Sequence, residues 1–218
     1  MKIGPYQTTK ISHRSLSEMI PSQTPYRQIR ALYDDETVTV YQAYSDTIGK
    51  AAVTAQKLNA SPEFKLGRMT WIKPSWCWMM YRCGYSYKDD RQTCVLAIKI
   101  KHEGFLKILE SAKLSHTKDE NKDAKVVVQW DPERSPKMDR LTYRSIQIGI
   151  PSEMIKIWID EWIVGIEDVT ERARKLKAEL NENKDLNVEK LREMGLLPEE
   201  RPYKVSEHIR KILQMDEI

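Results

Sequence analysis

Cysteine and histidine are scarce in this 218-residue chain, and their positions exclude several kinds of site. The three cysteines form no CxxC pair and are odd in number, so a disulfide framework is not predicted. The four histidines are scattered, and no pair has the spacing of metal ligands in motifs such as HExxH. We therefore expect a protein with reduced cysteines and no bound metal.

Long apolar runs are also missing. No stretch approaches the roughly 18 apolar residues of a membrane-spanning helix, and the first residues lack the apolar core of a signal peptide. The formal net charge is only +4 at pH 7, which permits an anionic partner without requiring one. The sequence therefore predicts a cytoplasmic protein without membrane contact, although nothing in it excludes the nucleus.

Phenylalanine is rare, and this makes the aromatic composition unusual. Two Phe stand against six Trp and ten Tyr, so most aromatic rings carry a polar group. Such rings suit half-buried or ligand-facing positions. They are densest in the segment RMTWIKPSWCWMMYRCGY, which we expect to contribute to a pocket or a binding surface.

Composition and periodicity divide the chain into three parts. Residues 1–25 are polar and proline-containing, which indicates an irregular N-terminal arm. Residues 26–170 combine alternating strands with amphipathic helices, as in a mixed α+β domain. Residues 171–218 form a charged helical tail that is too polar for a core of its own, so we expect it to pack on the domain.

Alternation and capping residues predict the individual elements. The predicted elements are a hairpin within 26–44, strands at 93–101, 126–130, 143–150 and 163–169, a turn at 131–140, and helices that follow Ser45, Pro74, Pro151 and Thr170.

Two groups of residues in these elements are candidates for ligand contact. Gln42 and Tyr44 end a strand just before a helix, where they could meet a ligand or make structural hydrogen bonds. In the Trp-rich segment, helical spacing predicts that four side chains are buried, namely Trp76, Met79, Met80 and Cys83. This burial does not account for the rings and donors that a nucleotide pocket would use, which are Trp71, Lys73, Ser75, Tyr81 and Arg82.

Two further features leave alternatives open. In YRSIQIG the isoleucines share one strand face, which leaves Ser145 and Gln147 on the other face, either in a pocket or in a buried hydrogen-bond network. Glu161 lies at a helix-to-strand junction. It is either a solvated helix-end carboxylate or the group that stabilises a developing cation in a glycosyl-transfer site.

The segments YRQIRALYDDETVTVYQAYS, MTWIKPSWCWMMYR, QWDPER, YRSIQIG, DEWIVGIEDVT and ERPYKVS together resemble an uncharacterised family, domain of unknown function 4291. Shorter motifs resemble ADP-ribosyltransferases of the poly-ADP-ribose polymerase type. VYQAYSDTIGKAA is similar to that family's first motif, with Gln42 where its NAD-contacting histidine falls. MTWIKPSWCWMMY is similar to the second motif, and Glu161 begins a sequence, EWIV, similar to the third.

The second resemblance implies a fold of two split, mostly antiparallel sheets around a cleft, with outer helices. It implies that NAD is the substrate and that ADP-ribose passes to a nucleic acid or protein acceptor. Gln42 and Glu161 would be catalytic, Tyr44 would contact the ribose, and Trp71 and Tyr81 would stack on nicotinamide near Ser75. The pyrophosphate would be bound by one or more of Arg30, Lys73, Arg82 and Arg144.

The alternative expectation is a non-catalytic module that binds RNA or DNA. Aromatic side chains could stack on bases while neighbouring cations contact phosphates. The residues concerned are Trp71, Trp76, Tyr81, Tyr85 and Tyr87, with Arg68, Lys73, Arg82, Lys88 and Arg91.

Overall fold

The computed structural model describes residues 24–115 and 126–216. The predicted N-terminal arm lies, up to residue 23, outside the described residues. The strands are β1 (Arg30–Ala31), β2 (Thr37–Tyr44), β3 (Thr70–Ile72), β4 (Cys94–Lys101), β5 (Ala112–Leu114), β6 (Val126–Arg134), β7 (Arg140–Ile150), β8 (Ile163–Asp168) and β9 (Arg201–Pro202). The helices are α1 (Asp46–Ala55), α2 (Trp76–Cys83), α3 (His102–Glu110), α4 (Ser152–Ile157), α5 (Thr170–Glu182), α6 (Val188–Glu193) and α7 (Glu207–Leu213).

Two sheets form the centre of the molecule. One has the strand order β2-β4-β8 and is antiparallel throughout. The other has the order β3-β7-β6-β5, in which only the β5-β6 pair is parallel. The sheets meet where the backbones of Tyr41 and Lys73 exchange hydrogen bonds of 2.7 and 3.2 Å. The predicted α+β class is confirmed.

Helix α2 forms where the sequence provides both of its caps. Ser75 precedes the helix in an extended conformation, and its hydroxyl accepts a hydrogen bond from the backbone N–H of Trp78. Gly84 ends the helix with a positive φ of 57°, a conformation that glycine adopts without steric cost. The predicted burial of Trp76, Met79, Met80 and Cys83 is confirmed.

The predicted hairpin in 26–44 is only partly formed. β2 is present, but β1 pairs with β9 near the other end of the chain, with Arg30 opposite Pro202. Helix α5 buries Ala173 and Leu176 in the same cluster as helix α2, and α7 buries Leu213 in the main core. Residues 171–216 are therefore integrated into the packing of the domain.

The turn predicted at 131–140 was too long, because strands β6 and β7 extend into it. Pro132 lies inside β6, where a shift of register between Pro132 and Arg134 interrupts the ladder. Proline has no N–H to donate, and it is tolerated at such irregularities. Pro132 was predicted to lie in a turn, and the bulge was not predicted.

The exposed edge of the three-stranded sheet is partly covered by a side chain. The Gln56 amide donates to the carbonyl oxygen of Ile166 at 2.8 Å and accepts from the Ile166 N–H at 2.9 Å. These bonds satisfy one position on β8 much as a further strand would. In the part of the chain that the structure describes, no helix has the length and apolar character to span a membrane.

One close approach in the core depends on glycine. Gly104, on α3, faces the indole of Trp162, and a Cβ at this position would lie 2.7 Å from Cδ2 of that ring. The helix therefore approaches Trp162 more closely than any other residue type would permit.

We predict that Gly104→Ala destabilises the fold by about 1–3 kcal/mol, because overpacking at Trp162 outweighs the better helix propensity of alanine. Gly67→Ala is the matched control, since no heavy atom lies within 4 Å of its Cβ position. The measurement is the free energy of unfolding in urea for both variants and the wild type. Equal stabilities for the two variants would contradict the prediction.

Candidate functional site

A cavity of about 860 Å³ opens where the two sheets meet. Its walls come from the end of β2, from β3 and from the facing strands β6 and β7. The loop at 63–69 and the segment at 89–92 complete the rim. This volume lies within the usual range for small-molecule and cofactor pockets. We call this cavity the junction pocket.

The Gln42 amide joins the two sheets at one wall of the junction pocket. Its Nε2 donates to Thr70 Oγ1 at 2.7 Å and to the carbonyl oxygen of Trp71 at 3.0 Å, and its Oε1 accepts from the Tyr44 hydroxyl at 3.2 Å. Burial raises the pKa of Tyr44 to about 12, so the hydroxyl keeps its proton. Both amide hydrogens of Gln42 are thus used to fix β3 against β2.

Trp71 lies across the neighbouring strand. It pairs with Gly149 of β7, and a Cβ on that glycine would lie 3.1 Å from two atoms of the indole ring. Because Gly149 has no side chain, the Trp71 indole can lie against it. Trp71 is half-buried and lines the junction pocket, so part of the indole can contact a ligand.

Lys73 carries a buried charge on the pocket wall, with a side chain only 5% exposed. Among the described residues, no oxygen accepts a hydrogen bond from its ammonium, whose nearest ring contact is Trp78 at 5.6 Å from the centroid. Burial, together with repulsion by Arg82 and against attraction by Asp131, lowers the pKa of Lys73 to about 8. An anion in the pocket would provide the missing partner.

Charge in the junction pocket is mainly positive. The cationic side chains in its wall are Lys65, Arg68, Lys73, Arg82 and Arg91, and the carboxylates are Glu63 and Asp89. Asp89 accepts from Arg91 at 2.6 and 3.0 Å. That ion pair neutralises one charge of each sign and leaves cations in excess, which favours an anionic ligand.

Three of the other predicted contacts lie outside this pocket. Ser75 donates to Glu133 Oε1 at 2.9 Å beneath helix α2. The Tyr81 ring lies under the Arg134 guanidinium, 3.7 Å from its centroid. Arg30 donates to the Glu200 carbonyl oxygen at 3.1 Å. The structure therefore does not place Tyr81 opposite Trp71, and Ser75 and Arg30 are occupied by protein partners.

Arg144 lies on the wrong strand face for the pocket. Alternate residues of a strand face opposite sides, and Gln147 and Gly149 have the parity that faces the junction pocket. Arg144 has the other parity, and its Nε donates to the Tyr26 hydroxyl at 2.7 Å. Arg144 therefore does not line the junction pocket.

Glu161 is the largest departure from the expected site. It lies in a π-helical turn, Trp158–Trp162, and is exposed. The register of the three-stranded sheet aligns Gln42 with Leu96 and Asp168, whereas Ile163 pairs with Ile100 at the other end. At about 3.3 Å per residue, Glu161 is roughly 15 Å from the level of Gln42. Gln42 lines the junction pocket and Glu161 does not.

Two residues of the pocket were not among the predicted site residues. Gln129 on β6 carries an amide, and Thr70 on β3 carries a hydroxyl. Gln129 pairs with Gln147 across β6 and β7, and both line the pocket. The sequence indicated the position of Gln129, because Val126 and Val128 lie on the opposite face of the strand by parity. Thr70, which accepts from Gln42, had no comparable signal.

A second cluster of polar groups lies beneath the start of α2. Glu200 accepts from the Trp76 backbone N–H at 2.6 Å, and Glu133 accepts from Ser75 nearby. Burial, together with repulsion from Glu133 and against the hydrogen bond from Trp76, raises the pKa of Glu200 to about 8. Burial also raises the pKa of Glu133. The two carboxylates are therefore coupled through their charges.

Fold and site together define an α+β protein with a cationic, aromatic pocket at the junction of two sheets. A family model described as "Domain of unknown function (DUF4291)" matches residues 28–203, and the chain belongs to this family. The match runs from just before β1 to just after β9, so it includes the pocket and the β1-β9 pair. No curated protein matches the sequence.

We predict that Glu200→Gln stabilises the fold above pH 8 but not at pH 4. A raised folded-state pKa means that the unfolded chain loses its proton first, so Glu200 destabilises the protein increasingly from about pH 4.5 to pH 8. Glutamine keeps the acceptor for Trp76 without the charge. Because Glu200 is partly exposed, we expect a gain of only about 1 kcal/mol.

The measurement is the melting temperature of each protein between pH 4 and pH 9. Glu199→Gln removes the same charge at the exposed neighbouring position and is the control. A gain for Glu200→Gln that does not change with pH would contradict the assignment.

Proposed function

We propose that the junction pocket binds NAD and that the protein transfers the ADP-ribose group of NAD to a nucleic acid or protein acceptor. The observation that carries this proposal is the buried Lys73 ammonium, which lines the pocket beside Trp71 without a hydrogen-bond acceptor among the described residues. A pyrophosphate supplies anionic oxygens for such a group, and a nicotinamide ring supplies a flat surface for the indole.

The architecture supports the same proposal. The resemblance to ADP-ribosyltransferases implies two split sheets around a cleft with outer helices. A three-stranded and a four-stranded sheet meet at the junction pocket here, and α2 follows β3 as the second motif requires. Among the proposed ligand contacts, those that line the pocket are Gln42, Tyr44, Trp71, Lys73 and Arg82.

NAD would lie with its pyrophosphate near Lys73 and Arg82 and one of its rings against Trp71. Gln42 would act mainly by holding β3 in place, because its amide hydrogens are occupied. Glu161 lies outside the pocket, so binding of NAD is the primary element of the proposal. Transfer of ADP-ribose is the reaction for which the protein should be tested first.

We predict that calorimetry detects NAD binding by the wild type, and that Trp71→Ala and Lys73→Met each weaken it by about 10-fold or more, through loss of stacking and of a charged hydrogen bond. Lys156→Met, on the exposed face of α4, is the matched control and should bind normally. Absence of binding by the wild type would overturn the proposal.

The same samples, incubated with NAD labelled in the ADP-ribose part, test transfer to RNA, DNA and protein. Glu161→Gln tests whether the carboxylate predicted from the resemblance acts in catalysis. Loss of transfer with unchanged binding would support that role. Full transfer by this variant would place the chemistry on other groups.

We also predict that NAD affinity falls as the pH rises through about 8. Lys73 attracts the pyrophosphate only in its protonated form, and the pKa of Lys73 in the free protein is about 8. Affinity should be constant from pH 6 to pH 7 and should decrease by as much as 10-fold per pH unit above pH 8. In Lys73→Met this decrease should be absent.

The second candidate is a non-catalytic module that binds RNA or DNA. The cations on the pocket rim, including Lys65, Arg68 and Arg91, favour it. The aromatic surface expected for it is reduced, because Trp76 and Tyr85 are buried and cannot stack on bases. Binding that is lost steeply with salt, together with no affinity for NAD, would favour this candidate.

A further inference from the structure

Two glutamines on the floor of the junction pocket have hydrogen-bonding groups to spare. Gln147 Nε2 donates to Gln129 Oε1 at 2.6 Å, across the β6-β7 ladder. No other described residue accepts from or donates to these two side chains. An amide has two donor hydrogens and an acceptor oxygen, so the pair retains unused N–H donors and a free acceptor, Gln147 Oε1, on a half-buried surface.

Gln42 differs from this pair in its hydrogen bonds. It also lines the pocket, yet both of its amide hydrogens and its oxygen have protein partners. Half-buried amides that line a pocket and lack full protein partners are available for hydrogen bonds with a ligand. The unused groups of Gln129 and Gln147 therefore mark a place for a polar ligand edge.

The register brings the pair next to the residues already proposed to bind the ligand. Ile72 and Ile148 are the last pair of the β3-β7 ladder, and Lys73 and Gln147 are the residues next to that pair. Gln147 pairs in turn with Gln129 of β6, and Trp71 pairs with Gly149 of β7. Trp71, Lys73, Gln129 and Gln147 all line the junction pocket. An indole, an amide pair and an ammonium are thus neighbours on one wall.

We infer that Gln129 and Gln147 recognise the edge of a planar ring that lies against Trp71, while the phosphate attached through its ribose is bound near Lys73. The ring carries an N–H donor beside a hydrogen-bond acceptor, since such an edge pairs with Gln147 Oε1 and with an amide N–H of the pair. This inference rests on the proposed function, because it assigns the ring-binding end of the same pocket.

Two rings of NAD present this edge. Nicotinamide has it as a carboxamide, and adenine has it as an amino group beside a ring nitrogen. A site built to hydrogen-bond an N–H group rejects the analogue that lacks this group, because the acceptor is then left unpaired. The contribution of the amide pair can therefore be measured with matched nucleotides that differ in one N–H donor.

The experiment measures dissociation constants by calorimetry for two pairs of mononucleotides. Nicotinamide mononucleotide is compared with its 3-acetylpyridine counterpart, in which a methyl group replaces the amino group. AMP is compared with purine riboside 5′-monophosphate, which lacks the amino group of adenine. In the wild type we expect one of the pairs to differ by about 10-fold or more, and that pair identifies the ring.

Gln147→Met removes the acceptor at similar side-chain volume, and the difference within the discriminating pair should fall below about 2-fold. Gln147→Leu, which removes the same acceptor, is a second variant with the same expectation, in case the first does not fold. A difference that persists in both folded variants would overturn the inference.

Failure of the inference and failure of the proposed function give different results. If NAD binds to the wild type but neither pair of mononucleotides differs, the amide pair does not recognise the ring and the proposed function stands. If neither NAD nor any of the mononucleotides binds, the nucleotide pocket itself is refuted, and the inference with it.

Discussion

The backbone pairing of Tyr41 with Lys73 is the contact on which the pocket depends. Two hydrogen bonds at this point join a three-stranded sheet to a four-stranded one. They end the ladder of β3 with β7 and turn Lys73 towards the space between the sheets. The Gln42 amide supports this junction from the side of β2. The buried ammonium, the indole and the amide pair are held in their relative positions by this contact.

A buried ammonium without an acceptor is an expensive feature, because its desolvation is not offset by an ion pair. Proteins retain such groups mainly where a ligand provides the partner, and shifted pKa values are concentrated at those places. Lys73 has this character, whereas the carboxylates Glu133 and Glu200 form a separate cluster beneath α2. The structure thus contains two sites of electrostatic strain, and one of them opens into a pocket.

Local patterns in the sequence were enough for much of this description. The caps Ser75 and Gly84 and the spacing of apolar residues predicted α2 and its buried face. Alternation in β7 placed Ser145 and Gln147 on the face opposite the isoleucines. Two of the candidate residues that line the pocket, Trp71 and Lys73, lie in one short stretch, where local geometry determines the direction of the side chains.

Features that depend on the pairing of strands far apart in sequence could not be predicted from local patterns. Glu161 has the expected neighbours in sequence, but the register of β8 against β4 places it at the far end of the sheet. Pro132 reads as a turn residue and is accommodated by a bulge that only the partner strand reveals. The pairing of β1 with β9 leaves no local trace, because each strand is two residues long.

That last pairing also bears on how the chain reaches its native state during synthesis. β1 leaves the ribosome well before its partner β9, because most of the described strands and helices lie between them in the sequence. Because Tyr203 is part of the main core as well, the nascent chain cannot complete that core before the segment after β9 has been translated. Until then, the surfaces that β9 and α7 will cover are exposed to solvent and to chaperones.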